Sequence, residues 1–263
     1  MATITTKHAQ GTFMWPELGT TDLAAGRAFY TGLFGWDAQE VPMGEGQSYL
    51  IFRHGGKDCA AAYTLMREQT DMGVPPHWGA YVAVDDCDAA AERVKRAGGQ
   101  VLMGPMDVMG SLGRMAACMD PQGAAFCVWQ AKDHIGAGVL NEAGALCWTE
   151  LMTSDAAAAR AFYGAVVGWT TQDVPMEPMV YTLWQRAGGE NAGGMMQLTP
   201  EMGHVPPNWL SYFQSADIDA SLGKAAALGG TVVVPAQTVP GVGRFAVLHD
   251  PQGAHFALLQ PGA

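Results

Sequence analysis

Trp15-Pro16-Glu17-Leu18-Gly19-Thr20-Thr21-Asp22, running on to Ala28-Phe29-Tyr30 and Gly35-Trp36, is the stretch whose reading decides the fold. It returns as Trp148-Thr149-Glu150-Leu151 through Asp155, then Ala161-Phe162-Tyr163 and Gly168-Trp169, at an offset of 133 residues (148 − 15). In a chain of 263 residues, a shared period of this length means two copies of one domain. The later landmarks repeat as well. Pro75-Pro76-His77-Trp78 is answered by Pro206-Pro207-Asn208-Trp209, Gly98-Gly99 by Gly229-Gly230, and Asp120-Pro121-Gln122-Gly123 by Asp250-Pro251-Gln252-Gly253. The offset of the last pair is 130 (250 − 120), a drift that a few loop deletions absorb. The expected organisation is a first domain over 11–131, a linker over 132–143 and a second domain over 144–260.

Within each copy the periodicity changes in a fixed order. Residues 11–22 alternate as a strand, with Phe13, Trp15 and Glu17 on one face and Met14, Pro16 and Leu18 on the other. Asp22 stands at an N-cap position, and Ala25, Phe29 and Leu33 make the apolar stripe of a helix that Gly35 ends. Strands are expected over Trp36–Val41, Ser48–Arg53 and Cys59–Leu65. A second β-α-β-β-β unit follows, with a strand at Trp78–Val84, a helix capped by Asp86, and strands at Val101–Met103, Arg114–Met119 and Ala125–Gln130. Four such units in two pairs make an α+β protein, and consecutive units are expected to pair because neighbours in sequence usually pack together.

The bulk numbers exclude several classes. With 14 Lys and Arg against 25 Asp and Glu the formal charge is −11, and no basic cluster breaks the pattern. Nucleic acid and anionic membranes are therefore poor partners. No run of about 18 apolar residues is present, so no membrane span is expected. Residues 1–10 lack the apolar core of a secretion signal. The five cysteines are odd in number, widely spaced and free of any Cys-x-x-Cys pair, which argues for reduced thiols and a cytoplasmic location. Monomer and homodimer both remain open.

Asp22-Leu23 with Ala28-Phe29-Tyr30 and Gly35-Trp36, and the Asp-Pro-Gln-Gly turns before the last strands, resemble the vicinal oxygen chelate superfamily: glyoxalase I, bleomycin-binding proteins and extradiol dioxygenases. The resemblance covers nearly the whole chain and is strongest to tandem glyoxalase-like proteins. It implies that paired units curl into half-open barrels with helices outside and a ligand inside. It also implies three metal ligands: a His or Glu on the first strand, a His on the first strand of the second unit, and a Glu on the last strand. In this sequence those places hold Trp15 and Trp148, Gly79 and Leu210, and Cys127 and Ala257. None suits a hard divalent ion, so the expectation is no metal and no cofactor.

The inward-facing residues that remain are Glu17 and Glu150, sharing a strand face with Trp15 and Trp148. Each is either a general base with a raised pKa or a structural carboxylate tied to a fixed donor. Tyr81 and Tyr212 are expected inward, for ligand contact or packing. His77 and Trp78 are expected at the mouth of the first barrel, Trp209 in the matching place of the second, and His255 facing the second cavity. Arg114 and Arg244 either bind an anionic oxygen or pair with acidic residues across the sheet. Cys127 reads as a buried, inert thiol. The paired Trp15, Trp78, Trp148 and Trp209 suggest an aromatic lining suited to a flat organic molecule. Three functions follow: a small-molecule binding protein; a metal-independent lyase or isomerase using Glu17 or Glu150 as base; and a metal-dependent glyoxalase or dioxygenase with unusual ligands.

Overall fold

The first strand owes its place to apolar side chains on both of its faces, and this sets the whole architecture. A computed structural model describes residues 3–44, 47–176 and 179–262. Strand β1 (Phe13–Thr20) leads into helix α1 (Leu23–Phe34), whose first turn is closed by Asp22 accepting from the Ala25 N–H at 2.9 Å. Gly35 ends the helix in the left-handed region at φ 70°, a conformation that glycine takes without steric cost. Strands β2 (Asp37–Gly44), β3 (Gln47–His54) and β4 (Lys57–Thr64) complete the first unit. After the short helix α2 (Arg67–Asp71) come β5 (His77–Ala83), α3 (Cys87–Arg96), β6 (Gln100–Val108), β7 (Gly113–Met119) and β8 (Ala125–Ala131). The second half repeats the order: β9 (Leu146–Thr153), α4 (Ala156–Val167), β10 (Thr170–Met176), β11 (Met179–Gln185), β12 (Asn191–Gln197), β13 (Asn208–Gln214), α5 (Ile218–Ala227), β14 (Thr231–Val239), β15 (Gly243–His249) and β16 (His255–Pro261).

Consecutive units pair. One eight-stranded sheet runs β2-β3-β4-β1-β5-β8-β7-β6, and the other runs β10-β11-β12-β9-β13-β16-β15-β14. In each sheet the first strands of the two units meet antiparallel at the centre, β1 against β5 and β9 against β13. This is the half-open barrel arrangement, once per half-chain.

Each sheet has an outer face that meets the other domain and an inner face that does not. The outer faces and their helices share one core: α1 packs on α5, α3 on α4, and β5 lies against β13. Reciprocal bonds hold this core together. Tyr30 donates to Asp250 Oδ2 at 3.0 Å and accepts from Trp78 Nε1 at 2.8 Å; Tyr163 donates to Asp120 Oδ2 at 3.0 Å and accepts from Trp209 Nε1 at 2.8 Å. The same carboxylates close the Asp-Pro-Gln-Gly turns, each accepting from two backbone N–H groups within 3.0 Å. Trp36 and Trp169 donate across the same interface to the Gly144 and Gly11 carbonyls at 2.7 and 2.9 Å. The Phe-Tyr, Gly-Trp and Asp-Pro-Gln-Gly signatures are thus the contact between the domains.

Two expectations are corrected here. Trp78 and Trp209 do not line the barrels; both are buried in the shared core, because β5 and β13 turn them to the face opposite Tyr81 and Tyr212. Phe13 does not share a face with Trp15. A β-bulge between them sends Phe13 to the shared core, 4.8 Å from the Trp209 ring and 5.2 Å from Trp169, and brings Met14 to the inner face beside Trp15.

Candidate functional site

Inner-face residues follow from register. In the first sheet Trp15 lies opposite Tyr81, and Tyr81 beside Cys127; Glu17 lies between Ala61 and Gly79; Gly19 lies between Tyr63 and His77. Cross-strand partners share a face, so these side chains line one cup. In the second sheet the same positions hold Trp148, Tyr212 and Ala257; then Glu150, Gly194 and Leu210; then Met152, Met196 and Asn208.

At the centre of each cup stands a carboxylate gripped by two phenols. Tyr49 donates to Glu17 Oε1 at 2.5 Å and Tyr81 to Glu17 Oε2 at 2.7 Å, while Trp15 Nε1 donates to the Tyr49 oxygen at 3.4 Å. Tyr181 donates to Glu150 Oε2 at 2.6 Å, Tyr212 to Oε1 at 3.0 Å, and Trp148 Nε1 to the Tyr181 oxygen at 2.9 Å. Burial raises both carboxyl pKa values above the ordinary range, and the phenol bonds pull them part of the way back. A charged His77 would lower Glu17 further. The phenols are raised as well: Tyr49, Tyr81 and Tyr212 sit far above their ordinary value because burial and a neighbouring carboxylate both oppose ionisation.

The first cup has more around its carboxylate. Tyr63, raised to about 12 by burial, accepts from Gln69 Nε2 of α2 at 3.3 Å, which sets α2 beside the mouth. At the other end the linker crosses the cup. The His134 ring meets Trp15 edge-on at 4.7 Å, Trp129 Nε1 donates to the His134 carbonyl at 3.0 Å, and Ala137 is buried in the same apolar cluster.

Trp15, Glu17, Tyr81, His77 and Cys127 therefore stand together, as do Trp148, Glu150 and Tyr212. Burial pushes the Cys127 thiol far up, so it is neither a thiolate nor a nucleophile at neutral pH. The two arginines separate from the site. Arg114 forms a bidentate pair with Asp88 at 2.7 and 2.8 Å, and Arg244 pairs with Asp219 at 2.7 and 2.9 Å, away from the inner faces. His255 keeps the strand face of Ala257 and Leu259 but is exposed at the start of β16, its ring 5.5 Å from His249. Tyr49 and Tyr181, the second partners of the carboxylates, were missed by sequence reasoning, as were Tyr63 and His134. The repeat itself carried a signal, since Tyr49 and Tyr181 recur at an offset of 132 (181 − 49) on strands of the same order. Two surface clefts, neither lined by Glu17 or Glu150, measure about 290 Å³ beside Arg160, Thr182 and Gln197 and about 100 Å³ where Lys7 and His8 meet Met14 and Trp129 of the first inner face.

The donor set does not fit the metal that the superfamily resemblance implies. The three implied positions of the first domain hold an indole, a glycine and a thiol held protonated by burial, and both oxygens of Glu17 are taken by phenols. Among the described residues no group of three or more His, Cys, Asp or Glu stands together as a metal site would require.

Residues 10–128 match the Glyoxalase/Bleomycin resistance protein/Dioxygenase superfamily, and residues 148–259 match the Glyoxalase-like domain family. Over 257 residues the chain is 44% identical to CFP32 of Mycobacterium tuberculosis (strain CDC 1551 / Oshkosh), named a candidate glyoxylase, with 97% of each chain covered. It is 40% identical over 269 residues to the anthracycline biosynthesis protein DnrV of Streptomyces peucetius, covering 97% of this chain and 95% of that one. Among solved structures, the Mn(II)-bound glyoxalase from Novosphingobium aromaticivorans matches with a TM-score of 0.64 at 15% identity, over 96% of this chain and 83% of that one. The 2,2',3-trihydroxybiphenyl 1,2-dioxygenase from Sphingomonas wittichii strain RW1 matches with a TM-score of 0.65 at 14% identity, over 97% and 91%. At such identities the two structures bear on the fold alone. Two matched domains on two half-open barrels, with a relative of 44% identity along the full length, lead to one conclusion: the chain belongs to the glyoxalase/bleomycin resistance protein/dioxygenase superfamily.

Proposed function

We propose that this chain is a cytoplasmic glyoxalase-like protein that binds a small organic molecule, aromatic or apolar, on an inner face, without a metal ion. The observation that carries the reading is the Trp-Glu-Tyr-Tyr cluster occupying the ground where the superfamily's metal ligands would stand. An indole and two phenols offer flat apolar surface, and the doubly bonded carboxylate offers one oriented polar anchor. A relative named for anthracycline biosynthesis supports the same class of ligand. The five free cysteines support a reducing compartment.

The test has two arms. Elemental analysis of purified protein, with thermal-shift titrations of Zn, Ni, Mn and Fe(II), is expected to show neither stoichiometric metal nor stabilisation. A thermal-shift screen of planar aromatic compounds is expected to show stabilisation that Tyr81→Ala removes. Stoichiometric metal, with destabilisation on chelation, refutes the metal-free reading.

A second reading is favoured by the raised pKa of Glu17 beside His77: a metal-independent lyase or isomerase with Glu17 as general base. Under it, Glu17→Gln keeps ligand affinity and abolishes turnover; under binding alone there is no turnover to abolish.

A further inference from the structure

The two cups share one plan and differ at the positions that decide whether anything fits. In the first, the position beside the carboxylate on the central strand is Gly79; in the second it is Leu210. A Cβ placed on Gly79 would meet only the Glu17 carbonyl at 3.4 Å and the Tyr81 ring edge at 3.9 Å, ordinary van der Waals contacts, so there is room for a carbon above that glycine. Leu210 fills the same space in the second cup and is 5% exposed, in an apolar cluster with Tyr212 and Ala257. The carboxylates respond accordingly. Glu17 is partly exposed, whereas Glu150 is buried at 7%. On the other flank, Tyr181 lies across Gly194 so closely that no Cβ could stand there, while the first domain has the buried Ala61.

The mouths differ in the same sense. Gly19 leaves room for the Tyr63 hydroxyl and the His77 ring, both within about 3 Å of where its Cβ would be. The second domain has Met152, Met196 and Asn208 at the corresponding places. Tyr63, His77 and Cys127 of the first cup thus have Met196, Asn208 and Ala257 as their counterparts in the second.

We infer that the first domain alone binds ligand, in the space over Gly79 against Glu17, and that the second cup is a copy plugged by Leu210. The ligand class narrows with it. Among the described residues the acidic group facing that space is Glu17, whose phenol partners already donate to it, so the preferred occupant is a flat, neutral molecule carrying a hydroxyl or N–H that donates to Glu17. This inference rests on the inner face being a binding surface.

The probe is 2-naphthol, a flat fluorescent phenol, titrated by fluorescence and calorimetry against wild type, Gly79→Leu and Leu210→Gly, each checked for folding by circular dichroism. Gly79 has an ordinary backbone conformation and room for a Cβ, so a leucine side chain can be carried there into the cup. Wild type is expected to bind one equivalent, Gly79→Leu at least tenfold more weakly, and Leu210→Gly at least as well as wild type. A second measurement needs no ligand: carbodiimide with glycine ethyl ester, read by peptide mass spectrometry, is expected to label Glu17 at least tenfold faster than Glu150. Equal labelling rates, or wild-type affinity in Gly79→Leu, overturn the inference and leave the binding reading standing. Absence of 2-naphthol binding in wild type with selective labelling of Glu17 overturns that reading for flat phenols and still supports the first cup as the open one.

Discussion

Replacing Tyr30 with Phe removes one oxygen and leaves two buried groups without a partner. The Tyr30 hydroxyl accepts from Trp78 Nε1 at 2.8 Å and donates to Asp250 Oδ2 at 3.0 Å, and neither Tyr30 nor Asp250 is exposed to water. A buried polar group stripped of its bond costs about 1–3 kcal/mol. Asp250 keeps its turn bonds from Gln252 and Ala254 through Oδ1, so its loss falls at the lower end. The expected destabilisation is about 3 kcal/mol, which for a chain of this size lowers Tm by about 6–12 °C. Urea denaturation followed by tryptophan fluorescence is the assay, with Tyr163→Phe as the symmetry-related case expected to behave alike. Tyr49→Phe is the contrast: the same atom is removed from a partly exposed residue, its partner Glu17 retains Tyr81, and the one N–H left without its acceptor is Trp15 Nε1, held at a long 3.4 Å. About 1 kcal/mol is expected there. A loss under 0.5 kcal/mol in Tyr30→Phe, or one no greater than that of Tyr49→Phe, would refute the claim that these pairs bind the domains together.

Both inner carboxyls have native pKa values raised above the ordinary 4.5, so between that value and the raised one the native state holds more protons than the unfolded state. Stability therefore falls as pH rises through that window. Glu150→Gln should flatten this part of a pH series of urea melts, and a steeper slope would contradict the assignment. Arg114→Ala breaks an exposed pair and should cost under about 1 kcal/mol while leaving 2-naphthol affinity unchanged; a tenfold loss of affinity would restore Arg114 to the site. The Cys127 thiol should resist alkylation by iodoacetamide at pH 8 for hours in the folded protein, and rapid modification would show that burial does not hold it protonated.

What could be read in the sequence was what depends on neighbours along the chain. The cap at Asp22, the stop at Gly35 and the Asp-Pro-Gln-Gly turns are local chemistry, and their recurrence disclosed the duplication before any contact was known. Glu17 and Tyr81 came into view because strand parity alone places them. Parity also separates Trp78 from Tyr81, three residues on and so on the opposite face; the expectation that Trp78 lines the barrel followed its aromatic character instead. The bulge after Phe13 left no mark in the sequence. Tyr49 and Tyr63 reach Glu17 and the mouth of the cup through strand pairings whose register is set by the whole sheet, and His134 reaches Trp15 only because the linker folds back. Those are non-local facts, and composition and periodicity do not encode them.

The exchange of Tyr30 with Asp250 and of Tyr163 with Asp120 has the form of an isologous contact, in which one patch meets an equivalent patch under a two-fold operation. The molecule is therefore a dimer written on a single polypeptide, with the connection between its halves serving to raise their effective concentration. Cut between residues 131 and 144, the two fragments should find each other again in solution. A freed half would present an aromatic surface made for a partner, and two copies of one half would be the simplest assembly to satisfy it. Having both halves on one chain also lifts the constraint of identity: one face could lose its cavity to a leucine while the other kept its glycine, a divergence that no symmetric pair of identical subunits can make.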